Sequence, residues 1–437
     1  MAPPKLKKKT HLQKAADDAS DAIKECNDAI EEYSDAVGST GTAAVDKDKR
    51  IKAVLAGVNK GMKGRAFVRI ASEVEQVHHV RRPFGIPDLD LSIAGGCPAG
   101  AIIQLFGAAG AGKNFLADCL IRNIQANYGP DAAVVFVSFG YGYDKDRGHQ
   151  NGVAVQMSDL EVARLQKSRS LTPEDATRRK KRVGNFVEIC RGGTKEAEEQ
   201  PAEHMLESAL QLIRSGEFQL IIVDEANAAP TGALMAKSMD ENPRQAHNAT
   251  LLTQFVTKFF SAVATPLAGG RLNETTVVVI LEARAKIGGF SPDPNALEQT
   301  GGHALKHAKA IDIEVKMGAP IIIDKKKVGK EVPWRVLKAK LGSHEGFSGT
   351  FPLLFATEPD SGGALVGGPL LSIAVELGAV QHVGNSFLLE GERFAVGKEA
   401  ATDVLNTDQD LYDRVYLACL AAKRLIPQYR PDEPVAS

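Results

Sequence analysis

Four apolar runs constrain this chain more than any other feature: "AIIQLF" (101–106), "AAVVFVSF" (132–139), "FQLIIVDEA" (218–226) and "TTVVVILEA" (275–283). Each is continuous rather than alternating, the pattern of a strand covered by helices on both faces. Between them lie segments of helical composition and length, "KNFLADCLIRNIQANYG" (113–129), "AEHMLESALQLIRSG" (202–216) and "TLLTQFVTKFFSAVATPLA" (250–268). Strands that alternate with helices connect in parallel, so the expected fold class is α/β: a doubly wound, mostly parallel sheet.

The flanks read differently. Residues 11–37 have the spacing of one helix, ended by "GSTGTAA", and a second helix is expected over "DKDKRIKAVLAGVNKGMKG" (46–64), followed by a strand-like "AFVRIA" (66–71). After residue 310 the runs "AIDIEVKM", "PIIIDKK", "PWRVLKAKL" and "GTFPLLFA" look like strands that extend the sheet or pack on it. The last eighty or so residues read as helix, short β-pair, helix, helix. The expected division is an N-terminal helical extension (1–45), a docking helix and strand (46–75), a core (76–355) and a small α+β C-terminal domain (356–437).

At 437 residues the chain is long enough for a sizeable core. It has no run of eighteen apolar residues, and its basic N-terminus lacks the apolar stretch of a secretory signal. Cys26, Cys97, Cys119, Cys190 and Cys419 are scattered, with no paired spacing, so neither a disulfide framework nor a zinc site is indicated and a reducing, cytoplasmic compartment is expected. A formal net charge of −1 does not exclude nucleic acid, because local charge decides that binding. Basic clusters stand at 5–9, 178–182 and 324–330; each is equally consistent with a solvated surface run.

The chemistry begins where the first apolar run ends. Gly107, Gly110, Gly112 and Lys113 sit between a strand and a helix, where backbone N–H groups and a helix N-terminus can wrap phosphate oxygens. The plain alternative is a small-residue turn. The pattern G-x-x-x-x-G-K-[ST] breaks at its last position, which is Asn114. An amide oxygen lies one bond further from the backbone than a hydroxyl, which changes the magnesium argument more than the phosphate argument. Asp224, at the C-terminal end of its strand, is placed to hold Mg2+ or its water, and Glu225 is either a general base or a salt-bridged surface glutamate.

Taken with "EARAKIGGFSPDPNALEQTGGHALKHAKAIDIEV" (282–315), "RVLKAKLG" (335–342) and the C-terminal "GER…GKE", the chain from roughly residue 48 to its end resembles the RecA family of homologous-recombination proteins. The resemblance implies a RecA-like core that binds ATP and Mg2+. Gly107 to Asn114 would lie on the phosphates, Asn114 and Asp224 on the metal, and Asp144 and Arg147 near the base. Lys113, Asp224, Glu225 and Glu282 would form the reacting set. Lys338 and Lys340 would reach a neighbouring protomer's nucleotide across a filament interface; otherwise they are solvated residues of an alternating strand. DNA loops would lie near 237–244 and 283–300, with Lys237, Arg244, Arg284, Lys286, Gly301 and Gly302 at the DNA backbone. The implied partners are single- and double-stranded DNA, further copies of the chain in a helical filament, and a single-strand-binding or loader protein; no membrane is implied. The altered nucleotide residues suit a bacteriophage relative.

With Asn114, two further departures bear on activity. Gly140 stands where the family carries the glutamate that activates water, and Glu282 where it carries a phosphate-sensing glutamine. A carboxylate facing phosphate is repelled unless protonated or bridged by metal. Two readings follow: an ATP-dependent recombinase, or a degenerate filament that binds ATP with little hydrolysis. A ring helicase fits the trans lysines and docking segment less well.

Overall fold

The computed structural model describes residues 43–61, 68–71, 80–168, 172–190, 200–236, 246–285, 297–298, 302–343, 345–355, 363–423 and 425. Contacts divide the chain into two compact units, Met1–Gln76 and Val77–Ser437. In the first unit a helix spans Ala43–Gly61. The expected strand over 66–71 has no counterpart among residues 68–71, which lack ladder pairing. Its β-like composition is insufficient because a strand forms only against an edge that accepts its backbone hydrogen bonds.

The second unit is built on a ten-stranded sheet. Its strands are β1 (Ile102–Gly107), β2 (Ala133–Ser138), β3 (Asn185–Cys190), β4 (Leu220–Asp224), β5 (Thr276–Glu282), β6 (Ile311–Val315), β7 (Pro320–Ile323), β8 (Lys326–Ala339), β9 (Ser348–Leu354) and β10 (Gly363–Ala364). The order is β10-β9-β8-β6-β1-β5-β4-β2-β3, with β7 paired to β8. The six strands from β6 to β3 are parallel, and the strands after β6 join antiparallel. Two of the four apolar runs become fully buried strands, and β4 and β5 stay buried until their last residues, Asp224 and Glu282. Side chains alternate across the sheet into two cores. Ile103, Leu105, Phe136, Ile222 and Ile280 pack with Leu116 and Leu120 of α1 (Lys113–Tyr128). Ile102, Phe106, Val137, Val223 and Val279 pack on the other face against α3 (Ala202–Ser215) and α4 (Ala246–Ala264). Between α1 and α3 lies the short α2 (Lys145–Gln150).

The strand β3 was not expected. Its residues are at most partly buried and include Asn185 and Glu188, so the run lacks the continuous apolar signature of a central strand. That is the chemistry of an edge position, with one neighbour instead of two.

Past α5 (Gly302–Ala308) and the antiparallel extension, α6 (Gly367–Glu376), α7 (Lys398–Thr407) and α8 (Gln409–Ala422) enclose a separate apolar cluster around Leu370, Val415 and Leu420. With them lies a three-stranded meander, β11 (Val380–Val383), β12 (Ser386–Leu389) and β13 (Glu392–Val396), where a β-pair was expected. Two tight turns, at Gly384 and Gly391, both with φ above zero, divide the run into three strands. Among the described residues no helix is long and apolar enough to cross a membrane.

Candidate functional site

The site lies at the C-terminal end of the parallel strands. A Cβ on Gly107 would meet the Val315 carbonyl oxygen at 2.0 Å, so only glycine lets β1 run this close to β6. Gly110 and Gly112 take φ of 68° and 123°, a backbone path that turns the loop back onto α1. No side chain caps the first turn of α1, which leaves its N–H groups for a ligand.

Lys113 is only 6% exposed. Its ammonium donates to the carbonyls of Gly107 and Ala108, both at 2.8 Å. Burial lowers its pKa, and the carboxylates of Glu282, Glu225 and Asp224 pull it back up. The four proposed reacting residues therefore share one electrostatic neighbourhood. A second ammonium, from Lys330 on β8, donates to the carbonyl of Gly110.

Asn114 reaches Asp224: its Nδ2 donates to Oδ2 at 3.2 Å. The other carboxylate oxygen, Oδ1, is buried and has no hydrogen-bond partner. Burial, reinforced by the adjacent Glu225, pushes the Asp224 carboxyl up to about 6. A buried oxygen without a donor, beside an amide that can turn its own oxygen inward, is a pair of hard ligands waiting for a cation. Among the described residues no group of three or more His, Cys, Asp or Glu could hold a metal. The amide of Asn114 and the carboxylate of Asp224 are oxygen donors of the kind Mg2+ takes, a cation that needs few protein ligands and completes its shell with phosphate and water. Glu225 is exposed at the rim.

Glu282 ends β5 in register with Gly107 on β1. Its backbone exchanges two hydrogen bonds with the Asn227 side chain, 3.2 Å each, which ties the segment after Asp224 to the end of β5. Gly140 is exposed, and a Cβ there would meet nothing within 4 Å, so the position has room for a side chain and offers none. The loop around it is held from below. Ser138 Oγ accepts from Gly140 N at 3.3 Å and Gly142 N at 3.1 Å, and Glu188 of β3 accepts from Tyr143 N at 2.7 Å.

Asp144 caps α2 by accepting from Arg147 N at 3.0 Å. The Arg147 guanidinium lies 5.7 Å from the Tyr143 ring centroid and donates to Asp118 at 3.2 Å. Asp118 is fully buried on α1, one turn beyond Asn114, and also accepts from Tyr143 Oη at 2.9 Å and Asn151 Nδ2 at 2.7 Å. Arg147 is close enough to Asp224 to lower its pKa.

Lys338 and Lys340 both donate to carbonyls that end α5, Lys340 to His307 O at 2.9 Å and Lys338 to Lys306 O and His307 O. Eight residues of extended strand separate Lys330 from Lys338, about 26 Å at ~3.3 Å per residue. A lysine at 338 cannot reach the phosphate loop that Lys330 touches in the same chain. Arg284 forms a short antiparallel pairing with Glu298, and Gly302 begins α5. Lys237, Arg244, Lys286 and Gly301, and the helix expected over 11–37, lie outside the described residues. The basic clusters resolve unequally. In 178–182, Arg178, Arg179 and Lys180 pair with Asp175, Asp146 and Asp159. In 324–330, Lys325, Lys326 and Lys327 are exposed on the β7–β8 hairpin, and Lys330 turns to the loop. Sequence reasoning missed Asn227, Asp118, Glu188 and Lys330; only Asn227, three residues past Asp224, carried a positional hint.

The family model for the RecA N-terminal domain matches residues 197–350. Protein RecA of Nocardia farcinica (strain IFM 10152) is 26% identical over 373 residues, covering 85% of this chain and 91% of its own length. Protein RecA of Porphyromonas gingivalis (strain ATCC 33277) is 25% identical over 376 residues, with 85% and 94% covered. That of Streptomyces ambofaciens is 24% identical over 396 residues, with 90% and 91% covered. Among solved structures, a KaiC-like protein from Pyrococcus horikoshii OT3 aligns at a TM-score of 0.38 and 14% identity, covering 66% of this chain and 99% of that one. With its parallel core, its glycine loop and an acid on the second strand over, this chain is similar to RecA proteins over most of its length and theirs.

Proposed function

We propose that this chain binds ATP at residues 107–114 and, in the ATP-bound form, assembles as a helical filament on single-stranded DNA that pairs it with homologous duplex. The observation that carries the reading is the meeting of Asn114 and Asp224 at 3.2 Å beside the loop, with one Asp224 oxygen buried and unpartnered. On binding, Lys113 leaves the Gly107 and Ala108 carbonyls for phosphate oxygens, and the open N–H groups of the loop and α1 take the rest. Asn114 and Asp224 would hold Mg2+, which would neutralise charge on the phosphate chain. Arg147, fixed by Asp118, stands on the base side. Lys338 and Lys340 act across the protomer interface, since their own loop is out of reach, and this makes assembly depend on nucleotide. DNA contacts fall to Arg284, Lys286, Gly301 and Gly302 and to Lys237 and Arg244. The site acts in the cytoplasm of a bacterium or a phage-infected bacterium, with a loader or single-strand-binding protein as accessory.

Hydrolysis is the weak step in this reading. With Gly140 in place of a carboxylate, water activation falls to Glu225 or Glu282, and loss of a general base typically costs two to four powers of ten in rate. The second reading, a filament that keeps ATP as glue, is favoured by that one position. Phosphate release with and without single-stranded DNA, alongside electron microscopy with ATP, separates them. DNA-stimulated turnover that Lys113→Ala abolishes supports the recombinase; filaments without turnover support the scaffold; no DNA binding even at low salt contradicts both.

A further inference from the structure

The basic run at 324–330 does not behave as one surface patch, and Lys330 is its exception. Strand periodicity places Lys330 and Val332 on the same face of β8, and both meet the phosphate loop. The Val332 side chain lies 3.3 Å from where a Gly112 Cβ would be, and the Lys330 ammonium donates to the Gly110 carbonyl. The strand is tightly fixed here, because a Cβ at the preceding Gly329 would meet the Leu353 carbonyl oxygen at 2.4 Å. Lys330 is thus delivered to the loop by the rigid sheet.

Its company is cationic. Among the described residues no carboxylate pairs with it, and its charged neighbours of consequence are Lys327 and Lys113. Burial and Lys327 both lower its pKa, so the ammonium is held where its charge is uncompensated. A main-chain carbonyl is a poor substitute for an anion, and an uncompensated half-buried cation beside a phosphate-binding turn is a site that lacks its ligand's charge.

We propose that Lys330 is a second phosphate-chain cation of the nucleotide site, supplied in cis by β8, which exchanges the Gly110 carbonyl for a phosphate oxygen when nucleotide binds. The inference rests on the reading of residues 107–114 as a nucleotide site. Lys113 leaves Gly107 and Ala108, Lys330 leaves Gly110, and the loop carbonyls they held are released together. A loop with Asn114 in place of a hydroxyl and Glu282 facing it gains from this added positive charge.

The test is equilibrium binding of Mg·ATP and Mg·ADP to the full chain, comparing wild type with Lys330→Ala, Lys330→Gln, Lys330→Arg and, as a control on the hairpin, Lys327→Ala. Lys330→Ala and Lys330→Gln are expected to weaken both nucleotides about tenfold, the effect of one charge-assisted contact. Lys330→Arg and Lys327→Ala stay within about threefold of wild type. Glutamine keeps a donor for Gly110 but no charge. If Lys330→Gln binds like wild type, or Lys330→Ala binds as tightly or more tightly, Lys330 is a strut of the empty loop and the inference is overturned. If wild type itself binds neither nucleotide, the site reading fails first and takes the inference with it.

Discussion

The most instructive perturbation is Gly140→Glu. Ser138, the last residue of β2, is in register with Asp224 on the neighbouring β4, so the two strand ends are about 4.8 Å apart. Gly140 lies two residues beyond, is exposed, has no φ above zero, and a Cβ there meets nothing within 4 Å. The substitution is therefore expected to cost no more than about 0.5 kcal/mol of stability, the usual range for an unstrained surface position. In return it places a carboxylate at the rim of the site. A general base contributes roughly 10² to 10⁴ in rate, which is about 2.7 to 5.5 kcal/mol of barrier. Asn114 and Glu282 remain unaltered in this variant, so the expectation is the lower end, about a hundredfold. Phosphate release at saturating ATP and single-stranded DNA measures it, with ATP affinity measured separately and Gly140→Gln as the isosteric control without a base. A Gly140→Glu protein that binds ATP normally yet turns over within twofold of wild type, or a glutamine variant that is equally accelerated, refutes the argument that this missing carboxylate limits hydrolysis.

Three further outcomes are expected. Asp118→Ala leaves Tyr143, Arg147 and Asn151 without their shared acceptor, and denaturant unfolding should show a loss of about 3 to 5 kcal/mol together with weaker ATP binding. His149 is 3% exposed, its Nε2 lies 2.6 Å from Val155 O, and burial, with Arg179 and Arg178 outweighing Asp146, lowers its pKa to about 4. The folded state thus binds fewer protons than the unfolded one between the ordinary histidine value, ~6.5, and about 4, so stability is full above that window and is lost as pH falls through it, by roughly 2 to 3 kcal/mol. Thermal unfolding of His149→Gln, which keeps a donor but does not titrate, should show a shallower loss between pH 7 and 5; parallel profiles would exclude His149 as the cause. Lys338→Ala with Lys340→Ala should leave ATP binding by the single chain within about threefold, because these lysines donate to carbonyls at the end of α5 and stand about 26 Å and 33 Å along the strand from Lys330. ATP-dependent self-association should fall at least tenfold by sedimentation, and unchanged association would remove them from the interface.

The central sheet was legible because burial on both faces demands continuous apolar runs, and a chain can hide such runs in few ways. The edge was not: β3 mixes Asn185 and Glu188 with Phe186 and Ile189, and its strand character comes from pairing with β2. At the site, residues adjacent in sequence were found together, and the convergence of Lys113, Asp224, Glu225 and Glu282 follows from strand order. What periodicity cannot reveal is the second side chain of a contact. Asp118 looks like any polar residue of α1 until Arg147, Tyr143 and Asn151 are seen to close on it. Lys330 sits in a lysine-rich hairpin sequence, and only the register of β8 separates it from its solvated neighbours. The meander after α6 was undercounted for a similar reason, since its third strand, β13, opens on Glu392 and Arg393 and its apolar run is only Phe394, Ala395 and Val396.

The measurement that bears most directly on the central claim is the affinity of the full chain for a labelled single-stranded oligonucleotide, by fluorescence anisotropy at low salt, with and without Mg·ATP. ATP is expected to tighten binding by at least tenfold, and Lys113→Ala to bind with the same affinity whether or not ATP is present. DNA affinity that does not respond to ATP in the wild-type chain would contradict a site in which nucleotide drives assembly on DNA.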